Sequence, residues 1–327
     1  MDASARRLTS GGFNRLSIHR DMSRISLLVI ILILNHATSH AKILLVESFE
    51  DNDFAKRGWY DVATPGTTVS GGYSGNCLYW KWAPGQSKPL TGGIMRKAFN
   101  ASDELFIKFY IKFSRTWKGS KKKCGHLVMI FSDLDSQYAN LNWSYLNTYL
   151  EVISDDVSPH ALRPVFQIQD SRRINVWDCS LGYHPCDLTG ETEDRSVSGC
   201  NGTIGDPATN GGWCYFDGNK WLNERRWISS DSRIKREDWV KIEAYLKMNT
   251  SRESKGQADG MMVLWINDLP VISKRNILYR THQDADKRWA QFVLSPYIGD
   301  GAETEQMVWI DELEVNSVKP TIKKLNF

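Results

Sequence analysis

Long helices, internal repeats and low-complexity tracts are all missing from this 327-residue chain. No stretch keeps the 3.6-residue periodicity of an amphipathic helix for more than two turns, which argues against helical bundles and α/β folds. No glycine-rich nucleotide loop and no Ser-His-Asp arrangement can be recognised. The cysteines include no C-x-x-C pair, so they do not form the pattern of a zinc site.

Excess charge is also missing once the N-terminus is set aside. Residues 1–41 contain five of the 41 Lys and Arg and two of the 38 Asp and Glu, so the rest of the chain has 36 of each. A neutral chain lacks the basic surface that nucleic acid requires, and we expect no nucleic-acid partner. Aromatic residues are abundant, with 13 Trp and 12 Tyr, and these suit either sandwich packing or stacking against sugars.

The apolar run Ile25–Leu34 has ten residues, too few to cross a bilayer comfortably. It follows Arg20 and Arg24 and precedes Ser39-His40-Ala41, whose small residues suit a cleavage site. These features predict a signal peptide over residues 1–41, with Met22 as an alternative start, and a secreted, extracellular chain that begins at Lys42. Such a chain has no membrane contact after cleavage, whereas the alternative is an uncleaved membrane anchor.

Cysteines and glycosylation sequons agree with export. An even number of cysteines in a secreted chain predicts disulfide bonds, and all six follow the signal peptide: Cys77, Cys124, Cys179, Cys186, Cys200 and Cys214. Four sequons predict a glycoprotein with glycans on surface loops, at Asn100, Asn142, Asn201 and Asn249.

Alternation of apolar and polar residues is the dominant pattern, and it predicts β-strands. It is clearest in residues 105–113 and in residues 239–248. The polar loop 249–260 joins the second of these strands to a further strand over 261–267. The other predicted strands are 43–49, the second half of 69–83, 92–99, 125–131, 148–153, 164–169, 290–298 and 307–315. More than ten strands without intervening helices predict antiparallel sheets packed as a β-sandwich in one domain, residues 42–318.

Residues 170–234 interrupt this pattern and hold four of the six cysteines. A long loop without its own core requires cross-links, so we predict a disulfide-stapled insert. Residues 319–327 are predicted to be a frayed tail. Loop length favours three pairs: Cys179 with Cys186, Cys200 with Cys214, and Cys77 with Cys124. The alternative pairs Cys77 or Cys124 with the insert, which would then act as a lid.

The stretch Asp238–Val271 resembles part of a known family. Trp239-Val-Lys, a polar loop ending in Asp259-Gly260, and the run Leu264-Trp-Ile-Asn-Asp-Leu-Pro-Val271 are similar to the jelly-roll polysaccharide lyases that cleave alginate and glucuronan. More loosely, the chain resembles the concanavalin A-like lectin and glucanase superfamily. The resemblance extends from Leu45 to Val315 and implies a jelly-roll sandwich whose ligand lies across the concave sheet.

Two segments resemble lyase motifs that carry catalytic groups. Residues 112–127 are similar to a motif with a functional lysine, and Lys123 is its best match, although Cys-Gly-His-Leu replaces Leu-Pro-Gly-Leu after it. His126 in this segment is a candidate base. Gln167 and Gln169 match a Gln-Ile-His strand in which Gln holds the substrate carboxylate and His takes the proton. Gln169 occupies the His position and cannot act as a base, so His126 or a tyrosine is preferred, with Tyr297 as the candidate.

A further set of residues predicts a basic, aromatic surface for an acidic glycan. These residues alternate with aliphatic ones on two strands that we expect to be neighbours, and they are Lys108, Tyr110, Lys112, Lys241 and Tyr245. We predict that these polar strand faces share one groove with those of strands 125–131, 164–169 and 290–298. Each candidate also has a purely structural explanation as a solvated loop, a solvent-facing strand residue or a packing aromatic.

Metal and hydrolase patterns are weak. Acidic residues at Asp300, Glu303 and Glu305, or at Asp311, suit a structural calcium ion but lack EF-hand spacing, so we expect no obligatory cofactor or metal. Asp311, Glu312 and Glu314 do not reproduce the E-x-D-x-E strand of related glycoside hydrolases, which disfavours hydrolysis.

Three functions are therefore compatible with the sequence. The first is a secreted polysaccharide lyase, or lyase-like protein, that acts on a uronic-acid-containing glycan by β-elimination. The second is a non-catalytic, lectin-like protein that binds such a glycan, which Gln169 favours. The third is an extracellular structural protein. The sequence leaves catalytic activity and oligomeric state open.

Overall fold

A computed structural model describes the chain over residues 42–60, 67–119, 124–132, 146–154, 161–169, 207–208, 212–216, 221–223, 227–230, 233–282, 284–299 and 301–317. This part is almost entirely β-structure, with one short 3-10 turn at Phe54–Arg57. No helix in these ranges is long and apolar enough to cross a membrane. The predicted signal peptide and the predicted tail lie outside the described residues.

The larger sheet has eight antiparallel strands. In chain order they are β1 (Ile43–Glu47), β2 (Thr67–Ser70), β3 (Asn76–Trp82), β5 (Glu104–Phe113), β14 (Val240–Lys247), β17 (Gly260–Ile266), β18 (Leu269–Ile277) and β20 (Gln306–Asn316). Their order across the sheet is β18-β17-β14-β5-β20-β3-β2, and β1 pairs with β20.

The second sheet has seven antiparallel strands. They are β4 (Met95–Ser102), β6 (Cys124–Phe131), β7 (Asn147–Ser154), β8 (Ala161–Gln169), β12 (Trp227–Ile228), β13 (Ile234–Lys235) and β19 (Trp289–Tyr297). Their order is β12-β8-β7-β6-β19-β4, and β13 pairs with β8. Two small ribbons complete the description: β9 (Pro207–Ala208), β10 (Gly212–Phe216) and β11 (Trp221–Asn223) form one, and β15 (Ser251–Arg252) and β16 (Lys255–Gly256) the other.

The two large sheets share one hydrophobic core, to which each contributes one face. Leu78, Trp80 and Trp82, predicted to lie on one face of β3, are fully buried in it, and so are Ile130 and Leu294 of the second sheet. Complete burial of one Leu or Ile side chain contributes about 1.5–3 kcal/mol to the stability of the fold. The core explains why strict alternation is the main sequence signal, because every second residue of most strands faces the opposite sheet. The prediction of an all-β antiparallel fold is confirmed.

The 238–271 stretch forms the predicted pair of strands, and a third strand that the sequence did not indicate follows them directly. β14 and β17 pair antiparallel, with Ile242 opposite Ile266. Asn267 and Asp268, read from the sequence as the close of the second strand, have φ of 47° and 68° and turn the chain directly into β18. Two successive positive φ angles are typical of a type I′ hairpin turn. Pro270 is tolerated in β18 because β18 lies at the edge of the sheet.

The predicted insert 170–234 is described only in part. Within it, β9 to β11 form a ribbon, and Trp227–Ile228 pairs with Val165–Phe166, so the end of the insert extends the second sheet. The sequence indicated no strands here, because strands of two to five residues are too short to show a period. The four insert cysteines are not described at side-chain level, and their pairing stays a prediction.

The predicted Cys77–Cys124 bridge is wrong, since Cys77 is a free, fully buried cysteine. Its Sγ lies 3.7 Å from the carbonyl oxygen of Val69 on the neighbouring strand of the larger sheet. Cys124 begins β6 in the other sheet. Stacked sheets lie about 10 Å apart, whereas disulfide-linked Cα atoms are less than about 7 Å apart. The same observation contradicts a bridge from Cys77 to the insert.

We expect Cys77 to resist alkylation in the folded chain. Burial raises the pKa of its thiol to about 11, and the nearby Asp311 carboxylate adds to this effect. Because thiolate is the reactive form, roughly one molecule in a thousand is reactive at pH 8. Iodoacetamide should leave the Cys77 peptide unmodified in the native chain and label it after denaturation, as read by peptide mass spectrometry. A Cys77 peptide linked to any other cysteine would contradict the assignment.

One predicted glycosylation site is also wrong. The side chain of Asn249 is fully buried, and its amide donates hydrogen bonds to two backbone carbonyls and accepts two from backbone amides. A glycan cannot be attached to a side chain enclosed in this way. Asn100 is exposed on β4, which agrees with its prediction without testing it. Asn142 and Asn201 lie outside the described residues.

Candidate functional site

The predicted common groove does not exist, because the two sheets divide its residues. Strands β5 and β14 belong to the larger sheet, whereas β6, β8 and β19 belong to the second. Their polar sides therefore point away from the shared core in opposite directions. The sequence pattern shows which residues of a strand face outward, but it does not show which sheet the strand joins.

Five predicted substrate-binding residues lie on the outer face of the larger sheet, and four of them have structural contacts there. Lys108 forms an ion pair with Glu314 at 2.7 Å, and Lys241 forms one with Asp268 at 2.5 Å. The Tyr110 ring stacks on Tyr73 with 3.6 Å between ring centroids.

Tyr245 donates a hydrogen bond to Glu104 at 3.0 Å, and burial raises the pKa of its phenol far above the usual value. The fifth residue, Lys112, contacts two indole rings instead of a carboxylate or a phenol. None of the five shares a face with His126 or Tyr297.

His126 lies on the outer face of the second sheet because of a bulge in β6. It is paired with Glu151 of β7, and the register then shifts so that Val128 is opposite Leu150. The bulge directs both Leu127 and Val128 toward the core and leaves His126 facing outward.

The imidazole Nδ1 of His126 contacts the Oε1 atom of Glu151, whose side chain is 2% exposed, while that of His126 is 36% exposed. A proton on Nδ1 facing this carboxylate leaves the other ring nitrogen, Nε2, as an acceptor. This arrangement suits a general base.

Two tyrosines flank this histidine. The ring of Tyr149 lies 5.3 Å from that of His126, and the ring of Tyr297 lies 6.2 Å away and nearly parallel, at 13°. A register shift in β19 after Leu294 places Tyr297 opposite His126. Tyr297 is 37% exposed, so its phenol is accessible to a ligand. Two of the three predicted catalytic residues are therefore neighbours.

Further buried polar side chains lie on the same outer face of this sheet, on β4, β7, β8 and β19. Gln167 is opposite Tyr149 and is 3% exposed, and Asn147 on β7 is fully buried. Arg96 on β4, 1% exposed, donates a hydrogen bond from Nη1 to the Oε1 atom of Gln291 at 3.3 Å. Amide and guanidinium groups of this kind are suited to neutralise a carboxylate. We call the set His126, Tyr149, Glu151, Gln167 and Tyr297 with these neighbours the histidine face.

Sequence reasoning missed several members of the histidine face. Arg96 lies in a predicted strand, but a single arginine there gave no sign that it would be buried on this side. Glu151 was overlooked because its strand reads as mainly apolar, and only the pairing with His126 shows its role. For Gln291, the sequence showed only that it lies on the same face of its predicted strand as Tyr297.

Other predictions fall partly outside the described residues. Lys123 and Asp300 lie outside them, and Gln169 is described only through its backbone, which is opposite Asn147. Glu303 and Glu305 form ion pairs with Lys118 and Lys81, respectively.

Asp311 accepts hydrogen bonds from the backbone amides of Ser74 and Glu312. Across the described ranges, no group of three or more His, Cys, Asp or Glu is arranged to hold a metal ion. Calcium also binds backbone carbonyl oxygens, so the possible structural calcium ion stays a prediction.

Comparison with known proteins agrees with this architecture. Neither a family model nor a curated protein matches the sequence. Among solved structures, the marine alginate lyase from Aplysia kurodai superposes with a TM-score of 0.53 at 10% identity, covering 86% of this chain and 100% of the lyase. The chain has the fold of this alginate lyase. The resemblance to jelly-roll polysaccharide lyases predicted from sequence is thus confirmed for the fold.

Two more distant structures are similar over comparable lengths. An alginate lyase from Chlorella virus has 12% identity and a TM-score of 0.49, covering 84% of this chain and 99% of the lyase. The endo-β-1,4-glucuronan lyase from Trichoderma reesei has 12% identity and a TM-score of 0.44, covering 84% and 95%. At these identities the fold alone is shared, and any statement about chemistry rests on the residues of this chain.

Proposed function

We propose that this chain is an exported polysaccharide lyase that cleaves a uronic-acid-containing glycan by β-elimination. The observation that carries the proposal is the contact of His126 with buried Glu151 on one side and its near-parallel alignment with accessible Tyr297 on the other. A base and a phenol side by side on the outer face of the sheet supply the two proton-transfer groups that the reaction requires.

The proposed mechanism assigns one task to each group. The Gln167 amide binds the uronate carboxylate and makes the adjacent C–H more acidic. His126 takes that proton on Nε2 while Glu151 stabilises the imidazolium that forms. The electron pair of the broken C–H bond forms the new C=C bond, the glycosidic C–O bond breaks, and Tyr297 donates its proton to the leaving oxygen. Lys123 has no assigned step here.

The direct test is incubation of the purified chain with a panel of polymers. Alginate, glucuronan and other polyuronates should yield products that absorb in the ultraviolet through a C=C bond conjugated to the carboxylate. A neutral glucan should yield none, because it has no carboxylate to make the C–H acidic. Mass spectrometry should show that cleavage adds no water. Products that have gained water would point to hydrolysis and contradict the proposal.

The second candidate function is glycan binding without catalysis. It is favoured by Gln169, which stands where the resembling lyase strand has its histidine base. In that case polyuronates should bind with no ultraviolet-absorbing product at any pH. Binding without product would assign this function instead of the lyase.

Export is part of the proposal, and it rests on the short apolar run that ends before Ser39-His40-Ala41. We expect secreted material to begin at Lys42. N-terminal sequencing that finds Met1 or Met22 would contradict cleavage at this position.

A further inference from the structure

A row of large side chains crosses the outer face of the larger sheet, on the side opposite the histidine face. Tyr79 of β3 pairs with Trp309 of β20, and Trp309 pairs with Lys112 of β5. Trp239 immediately precedes β14 and lies next to Lys112. We call these four residues the tryptophan row. Their alignment across four adjacent strands gives a continuous aromatic surface with one ammonium group inside it.

Lys112 is held between the two indoles. Its Nζ lies 4.7 Å from the ring centroid of Trp239 and 4.8 Å from that of Trp309. Cation–π contacts of this kind are attractive and fix the position of the charge. An indole face accepts no conventional hydrogen bond, so the N–H groups of the ammonium that point away from the rings are left for a ligand.

Lys112 differs in this respect from the other lysines around it. Four of the five lysines on β3, β5 and β14 have a carboxylate within 3.6 Å: Lys81 with Glu305, Lys108 with Glu314, Lys241 with Asp268, and Lys247 with Glu104. Within the described residues, Lys112 has no carboxylate partner. A positive charge that is fixed and not neutralised is complementary to an anionic ligand.

A groove adjoins the tryptophan row at this point. It has a volume of about 410 Å³ and is lined by Lys112, Arg115, Thr116, Glu237, Met307 and Trp309. Volumes of roughly 300–1,000 Å³ are usual for small-ligand sites. Trp309 forms an aromatic wall against which the C–H face of a pyranose ring can pack, and Thr116 adds a hydroxyl group. Arg115 and Glu237 neutralise each other through an ion pair at 2.9 Å. Tyr73, 51% exposed and 6.4 Å from Trp239, extends the aromatic surface beyond the groove.

We propose that the tryptophan row and its groove form a second glycan-binding site, specific for carboxylate-bearing sugars. One pyranose ring stacks on Trp309 and its carboxylate contacts the ammonium of Lys112. The choice of a uronate as ligand rests on the proposed function, whereas the site itself rests on Lys112 and the aromatic surface. Because this face is opposite the histidine face, a polymer bound here leaves the histidine face free for a second segment.

The test is binding of a short alginate oligosaccharide to the mature full-length chain by titration calorimetry. We expect two sites per chain. Lys112→Met and Trp309→Ala should each weaken one of them by about tenfold or more, the loss of one charge-assisted or stacking contact. The matched control is Lys108→Met on the same strand and face, which should keep both sites. Thermal melts of every variant confirm folding.

The outcomes separate this inference from the lyase proposal. The double variant His126→Ala, Tyr297→Phe should keep the site that depends on Lys112. If the chain has a Lys112-dependent site but cleaves no polyuronate, the lyase proposal is contradicted and the second binding site is supported. Unchanged binding in both Lys112→Met and Trp309→Ala would overturn the second site, whether or not the chain is a lyase. Equal binding of a neutral oligosaccharide at the Lys112-dependent site would overturn its specificity for carboxylates.

Discussion

Replacing Tyr297 with Phe, or His126 with Ala, should reduce β-elimination about 100- to 10,000-fold, the usual contribution of one general acid or base. The two residues lie side by side on the second sheet, and each replacement removes one proton-transfer group. Tyr297→Phe removes only a hydroxyl group from a side chain that is 37% exposed, so folding should be unaffected. The measurement is the initial rate of formation of the unsaturated product on the best polymer of the panel.

A matched control for the loss of a phenol is Tyr245→Phe. Tyr245 was a substrate-binding candidate from sequence, but it lies on the outer face of the other sheet with its hydroxyl bonded to Glu104. Its replacement should leave the rate within about twofold of the original, and cost roughly 1 kcal/mol of stability through one lost hydrogen bond. If Tyr245→Phe reduced the rate as strongly as Tyr297→Phe, the placement of the site on the histidine face would be wrong.

Replacing a proton-transfer group and replacing Gln167 should affect kcat and KM differently. His126→Ala and Tyr297→Phe should both lower kcat with little change in KM, because a proton-transfer group acts mainly in the transition state. Gln167→Ala should instead raise KM as well, since the amide is proposed to contact the substrate carboxylate before and during reaction. An unchanged kcat in His126→Ala would assign the base to another residue, with Tyr149 the nearest phenol to that histidine.

The fold was predictable because alternation is a local property. Strand β5 alternates almost perfectly between core residues such as Ile107 and outward residues such as Lys108, and its bounds were predicted within one residue. The sequence did not show which strands pair with one another in the sheets. Pairing of β5 with β14 and β20, at separations of more than 100 residues, follows from packing of the whole core.

The candidate site was only half predictable for the same reason. His126 and Tyr297 were found separately, each as an outward residue on its own strand. Two register shifts bring them together, one in β6 and one in β19, and neither leaves a mark in the alternation of its strand. The basic residues of β5 and β14 share the same pattern, yet they belong to the other face. Bulges and sheet assignment, rather than residue type, decided which candidates became neighbours.

Replacing Asn249 with Ala should destabilise the chain by roughly 2–4 kcal/mol, because it leaves buried backbone groups without partners. The Oδ1 atom of Asn249 accepts hydrogen bonds from the backbone amides of Tyr279 and Arg280 at 2.8 and 2.9 Å, and Nδ2 donates one to the carbonyl of Arg280 at 2.9 Å. The Arg280 guanidinium in turn reaches Asp103 at 2.8 Å. Asn249 thus joins the end of β14 to the segment that leads into β19.

The measurement is thermal unfolding of the purified chain, and we expect its midpoint temperature to fall by about 5–12 °C. Urea unfolding measures the loss of free energy independently. Asn249 is the first residue of a sequon. An experiment therefore has to distinguish destabilisation by loss of a glycan from destabilisation by loss of these hydrogen bonds. Ser251→Ala removes the same sequon while it keeps Asn249. It should cost only about 1 kcal/mol, since Ser251 is half-buried at the surface and loses its hydroxyl contacts with His282 and Lys255. Asn100→Ala, at an exposed sequon, should be equally mild. A glycan found on Asn249, or equal losses of stability in Asn249→Ala and Ser251→Ala, would contradict the buried hydrogen-bonding role.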